Sequence, residues 1–156
     1  AAAEEVTEIE RILAKTEALK AGFDEAILLN VNGTVSEGSG ENLFMITDGR
    51  ISTPGETENE LLGITRDTVK TLVKNELGMD VVERVIHRSE LYLADEAFLT
   101  GTAAHVTSIG ELDNRKIGTG EVGVITKQIQ DIYADVVQGN NPDYMHWCTA
   151  VVPGGG

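Results

Sequence analysis

Val35-Ser36-Glu37-Gly38-Ser39-Gly40-Glu41-Asn42-Leu43-Phe44 is the stretch on which the fold is read, because a glycine-rich loop here joins a return strand to an apolar one. Glycine lacks the Cβ that would keep a ligand away from backbone, and Glu37 places a carboxylate at the loop's edge. Further on, Gly63-Ile64-Thr65-Arg66-Asp67 opens a helix, whose first N–H groups have no partner within the helix and attract anions. Thr100-Gly101-Thr102-Ala103-Ala104 is another small-residue turn after an apolar strand. Together they read as walls of one anion-holding pocket. Taken singly each is a weak signal: Gly-Ser-Gly is commonly just a turn, and Thr65 can simply cap the helix. No G-x-G-x-x-G opens a helix and no Gly-Lys-Ser/Thr is present, so the common nucleotide fingerprints do not apply.

Working outward, residues 1–21 read as a helix, rich in Ala and Glu, with Val6, Ile9, Leu13, Thr16 and Leu19 as its apolar stripe and Gly22 as its end. Residues 26–31 form a buried strand, Asn32-Gly33 a hairpin turn, and Thr34 to Glu37 the start of the return strand. Leu43 to Thr47, the Asp48-Gly49 turn and Arg50 to Thr53 make another hairpin, closed by Pro54-Gly55. Val69, Leu72, Val73 and Leu77 at helical spacing predict a helix from Ile64 to Leu77, stopped by Gly78. Val81 to Ile86 alternates as a strand, and Ser89 caps a short helix through Asp95. Residues 97–100 and 105–109 are strands, the second turned back at Asp113-Asn114. Val122, Ile125, Ile129, Ile132 and Val136 give a last helix ended by Gly139, followed by an irregular tail from 140 to 156. The sum is one domain over 1–156, an α/β fold with a mixed, mostly antiparallel sheet and a core spanning 22–139.

A net charge of −14, from 26 acids and 12 bases, excludes nucleic acid and anionic membrane as natural partners. The same field repels an anionic cofactor at long range, so a phosphate must be held by local amides, which raises the importance of the helix start at Ile64. Cys148, alone, excludes an internal disulfide and suits a reducing compartment as a half-buried spectator. With no long apolar run, and with no signal-like zones at the N-terminus, the expectation is a cytoplasmic protein. No metal-ligand spacing links the three histidines and the cysteine.

From about Ile12 to Thr149 the sequence resembles the large, C-terminal domain of branched-chain amino acid aminotransferases, within the class IV, fold-type IV pyridoxal-phosphate enzymes. The strings that carry the resemblance are Val35 to Phe44, Gly63 to Asp67, Leu91-Tyr92-Leu93-Ala94-Asp95-Glu96 and Thr100 to Ala104. The resemblance implies a pseudo-barrel sheet packed with helices and pyridoxal 5'-phosphate as cofactor. It makes Glu37 the partner of the cofactor's pyridine nitrogen, and makes Ile64 and Thr65 phosphate ligands through their N–H groups and the Thr hydroxyl. Gly63 then lets the chain approach, Leu61 lies against the ring, Thr102 is a further phosphate ligand, and the Thr102-Ala103 amides take the carboxylate of an amino or keto acid.

The sequence departs from the family where the Schiff-base lysine belongs: counting back from Ile12-Leu13 puts that lysine at position 3, which holds Ala3, and a usual tyrosine falls at Glu8. The substituted run has the composition of an idealised, engineered helix. Nothing here matches the family's small N-terminal domain, which adds a phosphate-binding arginine. Arg66 is the basic residue beside the phosphate loop and is expected to lie along the helix surface; Lys15 and Lys20 are expected to be solvated, with Lys15 roughly 18 Å from position 3 along the helix. His105 reads as an edge residue, and Tyr144, His146 and Trp147 as an aromatic cluster packed over the open side. The resulting expectation is an isolated cofactor-binding domain, inactive by itself, from an enzyme that transfers amino groups between Val, Leu or Ile and 2-oxoglutarate. Its alternatives are a ligand-free stability or self-assembly scaffold, with homo-oligomers through exposed apolar surface, and the large-domain part of a working two-chain enzyme. Val152-Pro153-Gly154-Gly155-Gly156 reads as an appended end.

Overall fold

The computed structural model describes residues 2–55 and 63–148, and in the first helix side chains from Glu8 onward. Its centre is a five-stranded sheet in the order β5-β4-β3-β6-β7, built from β3 (Asn42–Thr47), β4 (Arg50–Thr53), β5 (Val81–Glu83), β6 (Glu96–Gly101) and β7 (His105–Ser108). Only the β4-β5 pair is parallel within it; the other pairs are antiparallel. The expected mixed, mostly antiparallel α/β architecture is the one found.

The alternation of β3 and β6 explains why both faces of this sheet are covered. Phe44, Ile46 and Phe98 point to one face, where α2 (Ile64–Leu77) supplies Val69 and Val73, and α4 (Val124–Val137) supplies Ile129. Leu43, Met45, Ala97 and Leu99 point to the other, against Val35, Ile86, Leu91 and Ile117. A strand buried on both faces needs a continuous apolar run, and Leu43-Phe44-Met45-Ile46 is one. Phe44 and Phe98 stand opposite in register and stack with ring centroids 4.8 Å apart. Burying such side chains contributes on the order of 1.5–3 kcal/mol each.

Turn chemistry agrees with the sequence at the clearest signals. Asp48 and Gly49 both take positive φ, 50° and 72°, as a two-residue hairpin between antiparallel strands requires. Gly78 caps α2 in the left-handed region, its N–H donating to the Val73 carbonyl. The last helix and its Gly139 end are also as read.

Elsewhere tertiary contacts move the boundaries. The first strand, β1 (Ile27–Leu29), is short and half-exposed, because it pairs in a two-stranded ribbon with β2 (Val35–Gly38) rather than joining the main sheet. β5 stops at Glu83, after which Ile86 turns into the core and Thr34 bridges to His87. The short helix α3 (Arg88–Leu93) is headed by His87 rather than Ser89: the Glu90 carboxylate accepts the His87 N–H at 2.8 Å. Asp113-Asn114 turns not β7 but a separate ribbon, β8 (Glu111–Leu112) with β9 (Arg115–Lys116). In the tail, Pro142–Trp147 forms a 3₁₀ segment where irregular chain was expected. Asn141 starts it by accepting the Asp143 N–H at 3.0 Å, and Tyr144 packs against Leu72 and Val136. Cys148 is half-buried, with its thiol 3.4 Å from the Val136 carbonyl.

The largest correction concerns α1 (Ala2–Lys20). Its length and its end before Gly22 (φ 88°) are as expected, but Ile9, Leu13 and Leu19 of the predicted buried stripe, with Ile12 beside them, are 55–59% exposed. The half-buried face instead carries Arg11, Ala14, Lys15 and Ala18.

Candidate functional site

Glu37 arrives at the site because β2 is buried along its whole length, with Val35 in the core and Glu37 itself 2% exposed. The chain then reverses tightly: the Gly38 N–H donates to Glu41 O at 2.7 Å and the Ser39 N–H to Ala26 O at 3.1 Å. Glycine is needed along this path for closeness. A Cβ on Gly38 would lie 3.3 Å from Leu99 Cδ2, one on Gly101 3.1 Å from Glu41 Cγ, and one on Gly63 2.2 Å from Asn42 Oδ1.

These close approaches bring the predicted walls together. The loop meets the turn after β6 through Glu41 and Gly101, and meets the start of α2 through Asn42 and Gly63, while Asn42 pairs in register with Thr100. Buried Thr100 has a hydroxyl with no hydrogen-bond partner among the described residues. Gly63, in extended backbone, is the N-cap of α2 and has no side chain to cap it, so Thr65 is not the cap but a buried residue of the first turn. Ile64 presents its side chain outward, and Thr102 and Ala103 sit in an exposed turn. Leu61 lies outside the described residues, as does the side chain at Ala3.

Two basic residues are not where the sequence puts them. Arg66 is 1% exposed rather than on the helix surface. Its Nη2 donates to the Pro54 carbonyl and pairs with Glu83, each at 3.2 Å, tying the head of α2 to the ends of β4 and β5. Lys70 also bonds Glu83, and this bond, with the Arg66 charge, holds that carboxyl below its usual range against the effect of burial. Lys15 is not freely solvated: its ammonium bonds Glu25 at 2.8 Å, which raises the Lys15 pKa.

Glu25 is partly buried, which opposes ionisation, yet Lys15, the Ser39 hydroxyl and the Ala26 N–H outweigh that and keep its pKa low. Glu41 has the opposite balance: burial, then the Glu25 charge, push its pKa up.

Sequence reasoning missed Arg11, whose Nη2 makes an ion pair with Glu37 Oε1. The side chains of this pair are 11% and 3% exposed, and Arg11 Nε is buried without a hydrogen bond among the described residues. The signal available was the second face of α1: Arg11 and Lys15, four apart with Ala14 and Ala18, form a stripe of cations and small residues facing a loop rich in acids.

His105 is exposed at the start of β7, with positive φ and its ring 5.7 Å from that of Tyr133. A cleft of about 720 Å³ lies between the end of α1 and α3, lined in part by Phe23, Ile27, Leu91 and Tyr92; none of the candidate residues lines it. No described helix is long and apolar enough to cross a membrane.

Residues 4–112 match the family described as amino-transferase class IV. The probable branched-chain-amino-acid aminotransferase of Aquifex aeolicus is 60% identical over 139 residues, 89% of this chain and 45% of that protein. The branched-chain-amino-acid aminotransferase of Pseudomonas aeruginosa is 50% identical over 143 residues, 92% of this chain and 46% of its own length. Among solved structures, the branched-chain aminotransferase of Thermobaculum terrenum in its pyridoxal-phosphate holo form matches with TM-score 0.88 and 44% identity, over 91% of this chain and 46% of that one. The enzyme of Thermoproteus uzoniensis with norvaline matches with TM-score 0.86 and 44% identity, over the same shares. The chain thus spans just under half the length of these relatives.

Set against a pyridine phosphate of the kind that such a relative holds, the two ends of the site differ. At the start of α2, the first-turn amides follow a glycine whose Cβ would run into Asn42, a close-packed helix N-terminus of the kind that suits an anion. At the Glu37 end, the carboxylate that a protonated ring nitrogen would need is already engaged by the Arg11 guanidinium. With the family match over most of the chain, relatives that are branched-chain aminotransferases, and a TM-score of 0.88 to a solved structure 44% identical, the chain belongs to the class IV aminotransferases.

Proposed function

We propose that this chain is the pyridoxal 5'-phosphate-binding large domain of a branched-chain aminotransferase, one domain with a redesigned helix at 1–21, a core at 22–139 and a tail at 140–156. The parent reaction is amino-group transfer between Val, Leu or Ile and 2-oxoglutarate, in the cytoplasm. What carries the reading is the meeting of the 36–42 loop with both the start of α2 and the turn after β6. In this reading Gly63, Ile64, Thr65 and Thr102 hold the phosphate, Thr102-Ala103 take the substrate carboxylate, and Leu61 against the ring and Glu37 at its nitrogen are roles taken up only once the Arg11 pair opens. Because Ala3 stands at the family's lysine position, the chain binds without turnover.

The test is a titration with pyridoxal 5'-phosphate followed by thermal denaturation and by borohydride trapping. Saturable stabilisation, weakened about tenfold by Thr65→Val and with no adduct trapped at a single lysine, is expected. An unchanged melting temperature at millimolar cofactor counts against the reading. That result would favour the scaffold alternative, which the Arg11–Glu37 pair supports because it satisfies a buried carboxylate with no ligand. A two-chain enzyme draws support from the exposed Ile9, Ile12, Leu13 and Leu19. Adding a chain with the relatives' other half and its lysine, and finding no transaminase activity, removes that possibility.

A further inference from the structure

We infer that Arg11 is a resident counter-ion that holds the ring end of the candidate site shut, so that this chain recognises pyridine phosphates through the phosphate alone. The inference rests on the proposed cofactor-binding reading and deepens it.

A carboxylate as buried as Glu37 must be paired, and α1 supplies the pair from the face it turns inward. On that face Arg11 and Lys15 stand one turn apart, and each meets an acid beside the glycine-rich loop: Glu37 and Glu25. Arg11 is nearly as buried as its partner, and its Nε makes no hydrogen bond among the described residues. A protonated ring nitrogen and a guanidinium are both cationic donors. Seating the first at Glu37 with the second in place would crowd two cations onto one carboxylate whose side chain is 3% exposed, so they compete for it, whereas Glu83, at 34%, is wet enough to take both Arg66 and Lys70.

The experiment uses the full chain, with Arg11→Ser, Glu37→Gln and the double variant, and two ligands measured by calorimetry. Pyridoxine 5'-phosphate carries the ring and phosphate but no aldehyde to react with lysines, and phenyl phosphate carries the phosphate without a ring nitrogen. Arg11→Ser should bind pyridoxine 5'-phosphate about tenfold more tightly than the parent, leave phenyl phosphate unchanged, and lose the gain when Glu37→Gln is added. Arg11→Gln keeps a neutral donor against Glu37 and is expected to give the same gain, which covers a failure of Arg11→Ser to fold. A folded Arg11 variant that keeps the parent's ratio of the two affinities overturns the inference while the phosphate site stands. Absence of binding of either ligand to every variant, including the parent, overturns the cofactor-site reading, and this inference with it.

Discussion

α1 and α2 are both amphipathic helices with apolar residues at helical spacing, and both end at a glycine in the left-handed region. α2 lies on a sheet face made of Phe44, Ile46 and Phe98, and it buries Val69, Leu72 and Val73 as its periodicity demands. α1 lies against a rim carrying Glu25, Glu37 and Ser39, and it turns Arg11 and Lys15 inward while Ile9, Leu13 and Leu19 face out. Periodicity defines a helix and its stripe. Which stripe is buried depends on what the helix meets.

The same contrast sorts the buried arginines. Arg66 joins α2 to backbone and to Glu83 at the edge of the sheet, a structural tie. Arg11 joins α1 to Glu37, the buried carboxylate of the proposed site.

The sharpest way to break the comparison is to truncate one leucine on each helix. Leu72→Ala, at 1% exposure, should cost about 2–5 kcal/mol in denaturant unfolding. Leu13→Ala, 57% exposed, should fall within about 0.5 kcal/mol. Equal losses would show that α1 buries its apolar stripe after all. Next in size, Gly63→Ala pushes a Cβ to 2.2 Å from Asn42 Oδ1 and is expected to cost about 1–3 kcal/mol, because the buried Asn42 amide must move. Gly40→Ala, with open space around it, is its control; a similar loss at both glycines would remove the argument for close approach at the site.

The smallest effects concern the acids beneath α1, and they have opposite signs. Glu25, held below its ordinary value, adds stability that is present above the unfolded pKa near 4.5 and is lost as pH falls through the lower folded value. Glu41, held above its ordinary value, disfavours folding at neutral pH, and that cost fades as pH falls through the raised folded value toward 4.5. Glu25→Gln should therefore destabilise at pH 7 and flatten the acid limb of a stability profile. Glu41→Gln should stabilise by about 0.5 kcal/mol at pH 7 and make no difference at pH 3.5. Changes of the same sign would mean that Lys15 does not distinguish the two carboxylates.

Most of the main sheet and α2 were legible because local and tertiary demands coincide there. Asp48-Gly49 can hardly be anything but a tight hairpin turn, and Leu43 to Ile46 only make sense buried on both sides. The site's walls were legible as strings of small residues, since close backbone approach leaves its mark as missing Cβ atoms. Arg66 and Arg11 were not legible, because a long cationic side chain can reach either solvent or a buried acid from one helical position.

By itself, then, the sequence determined α2, the last helix, the central strands with their Asp48-Gly49 turn, the family and the residues whose smallness lets loop, helix and third turn meet, where short-range sterics and periodicity suffice. Only the tertiary structure decided that α1 faces the core with its cations, that Arg66 is buried, and that Arg11 sits on Glu37. Those outcomes depend on which charges the fold removes from water together, and a buried carboxylate draws its counter-ion from whichever element happens to pass it.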